Sequence, residues 1–132
     1  MILDGELFDE ILGRAVESPR HRMHYDLRTS QADTSQRMLN VLMEDTVIPI
    51  HRHTGTSETV IILRGAVREE FYDENGNKTA EFTLVAGSDC VGVQVPRGQY
   101  HTVVCLKNGS VIFEAKDGAY DPQSTEDILH LQ

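Results

Sequence analysis

Basic residues are scarce in this chain. Twelve lysines and arginines stand against 21 aspartates and glutamates, a formal charge of −9. Such a surface has little to offer nucleic-acid phosphates, so sequence-independent nucleic-acid binding is not expected. Long hydrophobic runs are also missing; no stretch approaches the ~20 apolar residues of a membrane-spanning helix, and no membrane partner is expected. Cysteine occurs only twice, at Cys90 and Cys105, at a spacing that fits neither a zinc ribbon nor a redox motif. Two buried thiols in a reducing compartment are the expected state. Met1–Glu6 lacks the basic segment of a secretory signal, so a cytoplasmic location is expected.

What is present reads as one domain of 132 residues, rich in short strands. Leu3, Leu7, Phe8, Ile11, Leu12 and Ala15 recur at helical spacing. Asp4 suits the cap, and Ser18-Pro19 ends the pattern, because the residue before proline is driven out of the α region. The polar, basic stretch from Arg20 to Arg28 reads first as a solvated linker. The alternative is a segment that brings Arg22 or His24 to the mouth of a pocket. Strand signals then run from Arg37 to Met43 and from Glu58 to Arg64. They continue over Ala66–Tyr72, Thr79–Leu84, Cys90–Val95, His101–Leu106 and Ser110–Ala115. Between them lie turn signals, the clearest being Asp73-Glu74-Asn75-Gly76-Asn77 with its Asn-Gly centre. Many short strands with close turns predict an antiparallel sandwich or barrel. In the tail, Asp121-Pro122 marks a turn, and Ser124 and Asp127 are spaced like a capping box before Ile128, Leu129 and Leu131, which predicts a last helical turn.

The chemistry concentrates at His51-Arg52-His53-Thr54-Gly55-Thr56-Ser57-Glu58. Two histidines at i and i+2 of an extended segment share a face and can reach one ion. Glu58 follows a turn and opens the next strand. A third candidate, His101, follows the Pro96-Arg97-Gly98 turn. Three neutral imidazoles and a carboxylate suit a divalent first-row ion: manganese, iron, cobalt, nickel or zinc. The expected metal ligands are therefore His51, His53, Glu58 and His101, with Glu58 alternatively orienting an imidazole. Arg37 shares a strand face with Leu39 and Val41. It either projects into the barrel to hold an anionic group, or pairs with an inner acid such as Glu69 or Glu114. Arg22 and Lys116 are further substrate-binding candidates. Lys116 and Tyr120 alternatively close the end of the barrel, and Tyr100 is expected to point away from His101.

His51-x-His53, four residues, Glu58, six residues, Gly65 resembles the first cupin motif, with Asp45 in place of its leading glycine. Pro96-x-Gly98-x-x-His101 resembles the core of the second, with Cys90 at its leading glycine and Cys105 at its final asparagine. The match extends to Ser18-Pro19-Arg20-x-Arg22-x-His24, Gln36-Arg37 and Glu114-x-Lys116-x-Gly118-x-Tyr120-Asp121-Pro122, which is similar to the WbuC family of small cupin-fold metalloproteins. That family usually has Gly-Pro before the tyrosine, where this chain has Gly118-Ala119, and its Lys-Asp-Phe-Ala-like ending is absent.

The resemblance implies an all-β, single-domain cupin (a jelly-roll double-stranded β-barrel) with an N-terminal α-helix. The expected division is a helix over 1–19 packed on the barrel or a partner, a barrel over 20–119 and a tail over 120–132. It also implies one bound divalent metal (zinc, nickel, iron or manganese), a small-molecule ligand or substrate, and a homodimer. An association with bacterial polysaccharide gene clusters suggests a sugar or sugar nucleotide. Three functions stay open: a metal-dependent isomerase, lyase or dioxygenase; a non-catalytic small-molecule binding module or sensor; and a barrel whose metal is structural.

Overall fold

A computed structural model of the chain describes residues 1–118 and 127–130. It opens with helix α1 (Gly5–Glu17). Asp4 accepts a hydrogen bond from the Leu7 amide, 3.0 Å, and Ser18 leaves the helix with extended backbone ahead of Pro19. Phe8, Ile11 and Ala15 form the buried stripe.

The strands follow as β1 (Arg22–Asp26), β2 (Ser35–Leu42), β3 (His51–Arg52), β4 (Glu58–Arg64), β5 (Ala66–Tyr72), β6 (Lys78–Val85), β7 (Gly92–Val95), β8 (Tyr100–Cys105), β9 (Ser110–Asp117) and β10 (Asp127–Ile128). They form two five-stranded antiparallel sheets. One has the order β1-β2-β9-β4-β7 and the other β10-β3-β8-β5-β6. This is the expected jelly-roll β-sandwich with an N-terminal helix.

Period-two alternation sorts each strand between two faces. In β2, Leu39 and Val41 pack outward against Phe8, Ile11 and Ala15 of α1, together with Val111. Leu42 faces inward and joins Val60, Ile62, Val67, Leu84, Val95, Val103, Cys105 and Ile112 in the core between the sheets. The first sheet is thus covered on both faces, by its partner sheet and by the helix. The core fills one part of the sandwich and leaves the other for the site.

The expected turns appear. Asp73 accepts from the amides of Asn75 and Asn77 and receives the Gly76 amide on its carbonyl, closing the β5–β6 hairpin. Four expectations are corrected. The stretch after Arg20 is the edge strand β1, paired to β2, and not a linker. Asp127–Ile128 is a strand on β3, and not part of a helical turn; backbone pairing to Arg52 and His51 outcompetes a short helix with few internal bonds. Cys105 is buried, but Cys90 is exposed. Arg37 lies on the helix-side face of its sheet, as described below. The expectations for Tyr120, Asp121-Pro122, Ser124 and Leu131 fall outside the described residues.

Candidate metal centre

The β3–β8 pairing creates the site. His51 and His101 are direct cross-strand partners, and their ring centroids lie 4.3 Å apart. His53 follows β3, with its ring 5.2 Å from His51 and 5.6 Å from His101. One nitrogen from each imidazole lies within 4.8 Å of the other two. The two sequence motifs are also tied by backbone: the Gly98 amide donates to the His53 carbonyl at 2.8 Å, and Gly98 takes φ +81° in the turn that launches β8.

The rings are oriented for ligation. His51 Nδ1 lies 2.8 Å from the Pro49 carbonyl, and His101 Nδ1 lies 3.0 Å from the Gln99 carbonyl. A carbonyl only accepts, so each Nδ1 carries the proton and each Nε2 presents a lone pair. Burial, then the neighbouring His51, pushes His101 down to about 4, which keeps its ring neutral. His53 Nε2 is buried and makes no hydrogen bond, yet it sits 3.0 Å from Glu58 Oε2. Ligands at right angles around an ion, each about 2.1 Å from it, stand about 3.0 Å apart. The pair thus has the spacing of one edge of a coordination polyhedron.

Glu58 is only 4% exposed. Burial alone would raise its pKa, but the His53 imidazole and the Lys116 ammonium, 3.9 Å away, outweigh it and hold the carboxyl at about 2. An ionised buried carboxylate beside the His53 ring and the Nε2 lone pairs of His51 and His101 fits a divalent cation in charge and in donor type.

These groups open on a cavity of about 200 Å³ between the sheets. Arg22 and His24 of β1 line it, as do Gln36, Met38 and Asn40 of β2 and Glu114 and Lys116 of β9. From the opposite sheet come Glu69 and Val103. Of the expected substrate-binding residues, Arg22 and Lys116 are therefore present. Arg37 is not among the lining residues. Its parity with Leu39 and Val41 is as read from the sequence, but that face meets α1, and neither anion binding in the barrel nor pairing with Glu69 or Glu114 holds. Its guanidinium instead bonds Asp33, the Ser35 carbonyl and the Leu27 carbonyl. Tyr100 points away from His101 as expected, with Arg52 over its ring and its hydroxyl 3.5 Å from Asp127.

Asn40 was not foreseen as part of the site. Its sequence signal is an amide on the inward row of a strand whose next inward residue, Leu42, is core. Glu69 was foreseen only as an inner acid. It is 1% exposed, and burial, then Glu58, Glu114 and Glu70, push its carboxyl well above the usual range.

Residues 3–84 match the family model described as a domain of unknown function, DUF6016. The chain belongs to this family. The match takes in His51, His53, Glu58, Asn40 and Glu69 of the DUF6016 chain and stops before His101. No curated protein sequence matches the chain. Among solved structures, KdgF from Halomonas sp. superposes with a TM-score of 0.64 at 14% identity, over 80% of this chain and 87% of that one. The capsular polysaccharide assembling protein CapF from Staphylococcus aureus does so with a TM-score of 0.69 at 18% identity, over 83% of this chain and 30% of that one. Oxalate decarboxylase from Bacillus subtilis gives a TM-score of 0.61 at 18% identity, over 80% and 27%. The DUF6016 chain thus spans most of the KdgF chain and less than a third of the other two. These proteins have the cupin fold, and at such identities the fold is what the DUF6016 chain shares with them.

Proposed function

We propose that this protein is a divalent-metal-binding cupin that acts on a small, oxygen-rich substrate such as a sugar or sugar nucleotide in polysaccharide metabolism. One observation carries the reading: three buried or half-buried imidazoles and the Glu58 carboxylate converge, and the protons of His51 and His101 are held on the far nitrogens. His51, His53, His101 and Glu58 hold the ion, which is zinc, nickel, iron or manganese. Bound there, it supplies Lewis-acid polarisation of a substrate oxygen. The chain's own residues do the rest. The carbonyls of Pro49 and Gln99 fix the ring tautomers. Lys116 offsets the charge of Glu58, and Arg22 lines the mouth for an incoming polar group.

The WbuC-family resemblance supports the polysaccharide context, as does the description of CapF as a capsular polysaccharide assembling protein. The Mn(II) centres named for oxalate decarboxylase support the metal. A cavity of about 200 Å³ is smaller than the ~300–1,000 Å³ typical of drug-sized ligand sites and favours the sugar part over a whole nucleotide. The reading includes a cytoplasmic location and a homodimer; no described helix is long and apolar enough to cross a membrane.

The test is metal content of the tag-free protein beside His51→Ala and His101→Ala, with far-UV circular dichroism as a folding control. About one ion per chain, lost in both folded variants, is the expected result. A folded, unaltered protein that takes up no metal on reconstitution would overturn the reading.

A further inference from the structure

Beside the metal ligands, the cavity wall carries a buried polar atom without a hydrogen bond among the described residues. Asn40 is 3% exposed, and its Oδ1 is buried with no partner. Among the described residues, neither end of its amide is hydrogen-bonded. Glu69, at 1% exposure, has no cation paired with it among the described residues. Both line the cavity onto which the histidines open. A buried polar group without a partner costs on the order of 1–3 kcal/mol, so the Asn40 carbonyl facing this cavity is expensive for the protein alone.

Their positions are set by the sheets. Asn40 lies on β2, flanked in register by His24 and Ile112. Glu69 lies on β5 opposite Val103, one inward step along β8 from His101. The two sheets thus bring an amide and a carboxyl to the same space as the imidazoles. The cations of the cavity are differently placed. Lys116 lies against Glu58, and neither Arg22 nor His24 is without a partner. Among the described residues, no donor meets Asn40 Oδ1, no acceptor meets the Asn40 NH₂, and no cation pairs with Glu69.

We propose that Asn40 and Glu69 form a hydroxyl-binding subsite for a neutral, polyhydroxylated substrate of monosaccharide size, held beside the metal ligands by a neighbouring pair of its hydroxyls. This deepens the metal-cupin reading and rests on it for the ion. A hydroxyl both donates and accepts, so one meets the Asn40 amide and the next meets the Glu69 carboxyl. A simple carboxylate has no donor for these acceptors at neutral pH, and phosphate or carboxylate alike would bring a further negative charge beside Glu58 and Glu114. A site built on hydroxyls rejects analogues that lack them.

The probes are D-glucose, D-mannose, D-galactose and L-rhamnose, with inorganic phosphate and acetate as anionic controls, read by saturation-transfer NMR on zinc-reconstituted and chelated protein. The unaltered protein is compared with Asn40→Leu, Asn40→Asp, Glu69→Leu and Glu69→Gln. Bound zinc is measured in each sample. At least one sugar is expected to bind, and about tenfold more weakly in the Leu variants. Zinc content should stay unchanged and Tm should rise, because an unpartnered buried polar group has been removed. The conservative variants carry the test if a Leu variant does not fold. Sugar binding equal in all folded variants, no sugar binding to the zinc-loaded protein, or displacement of the sugar by phosphate or acetate would overturn the subsite. A protein that binds no zinc, yet binds sugar in an Asn40- and Glu69-dependent way, would keep the subsite and refute the metal reading.

Discussion

Gly65 turns the chain from β4 to β5 with φ +80°. A Cβ there would run into the Ser110 side chain and lie 3.1 Å from the Ser110 Cα. Ser110 cannot yield, because its hydroxyl accepts from the Ala66 amide and its one proton lies between the Lys107 carbonyl at 2.6 Å and the Ala66 carbonyl at 3.0 Å. Gly65→Ala should therefore lose about 1–3 kcal/mol in urea unfolding. Gly55→Ala, in open space and without a positive φ, should change little. The adjacent Glu69 and Glu70 show what parity does to one side chain. Glu69 faces the cavity with no cation paired to it among the described residues. Glu70 faces outward to Arg68 Nε at 2.7 Å, the Tyr72 hydroxyl at 2.8 Å and Lys78 Nζ at 3.0 Å.

At the scale of elements, α1 acts through three side chains. Ile11 is fully buried against Leu39, Val41 and Val111. Ile11→Ala should cost about 2–5 kcal/mol, read as a lower urea midpoint at unchanged slope. Elements differ in how openly the sequence declares them. The hairpin at Asp73–Asn77, the cap at Asp4 and both histidine motifs are local patterns, complete within a dozen residues, and they are legible. Arg37 is a different case. Alternation tells which residues share a face, but β2 has an apolar cover on either side, α1 or the second sheet, and no local signal says which face meets which. Edge strand β1 was obscured for a related reason: half-exposed on an outer position, it carries polar residues where an inner strand would alternate. Asn40 and Glu69 belong to opposite sheets 29 positions apart in sequence. Only the closed sandwich brings both to one cavity.

For the whole molecule, the two glutamates predict opposite pH responses of the metal-free protein. Burial would raise Glu70, but its bonds from Arg68, Tyr72 and Lys78 outweigh that and hold it at about 2, below its ordinary 4.5. Its folded pKa is depressed, so its contribution to stability is present above about 4.5 and is lost as the pH falls toward 2. Glu69 is raised, by burial first. Its contribution is present below about 4.5 and is lost as the pH rises through its folded value. Chelated Glu70→Gln should thus lose Tm relative to the unaltered protein at pH 7 and close the gap in acid. Glu69→Gln should gain Tm progressively above pH 4.5. A parallel pH profile of Tm for either variant would refute the corresponding assignment.

The pairing of His51 with His101 joins positions 50 residues apart. Closing so long a loop precedes any shared coordination by the two rings, and non-local strand pairing is a slow step of folding. An unfolded or nascent chain offers an ion only the local donors His51, His53 and Glu58. His101 joins them when β3 and β8 pair. Unlike a zinc finger, where the ion gathers the chain around itself, a barrel with the proposed metal site would fold first and take its ion last, so refolding should be as fast in a chelator as in metal.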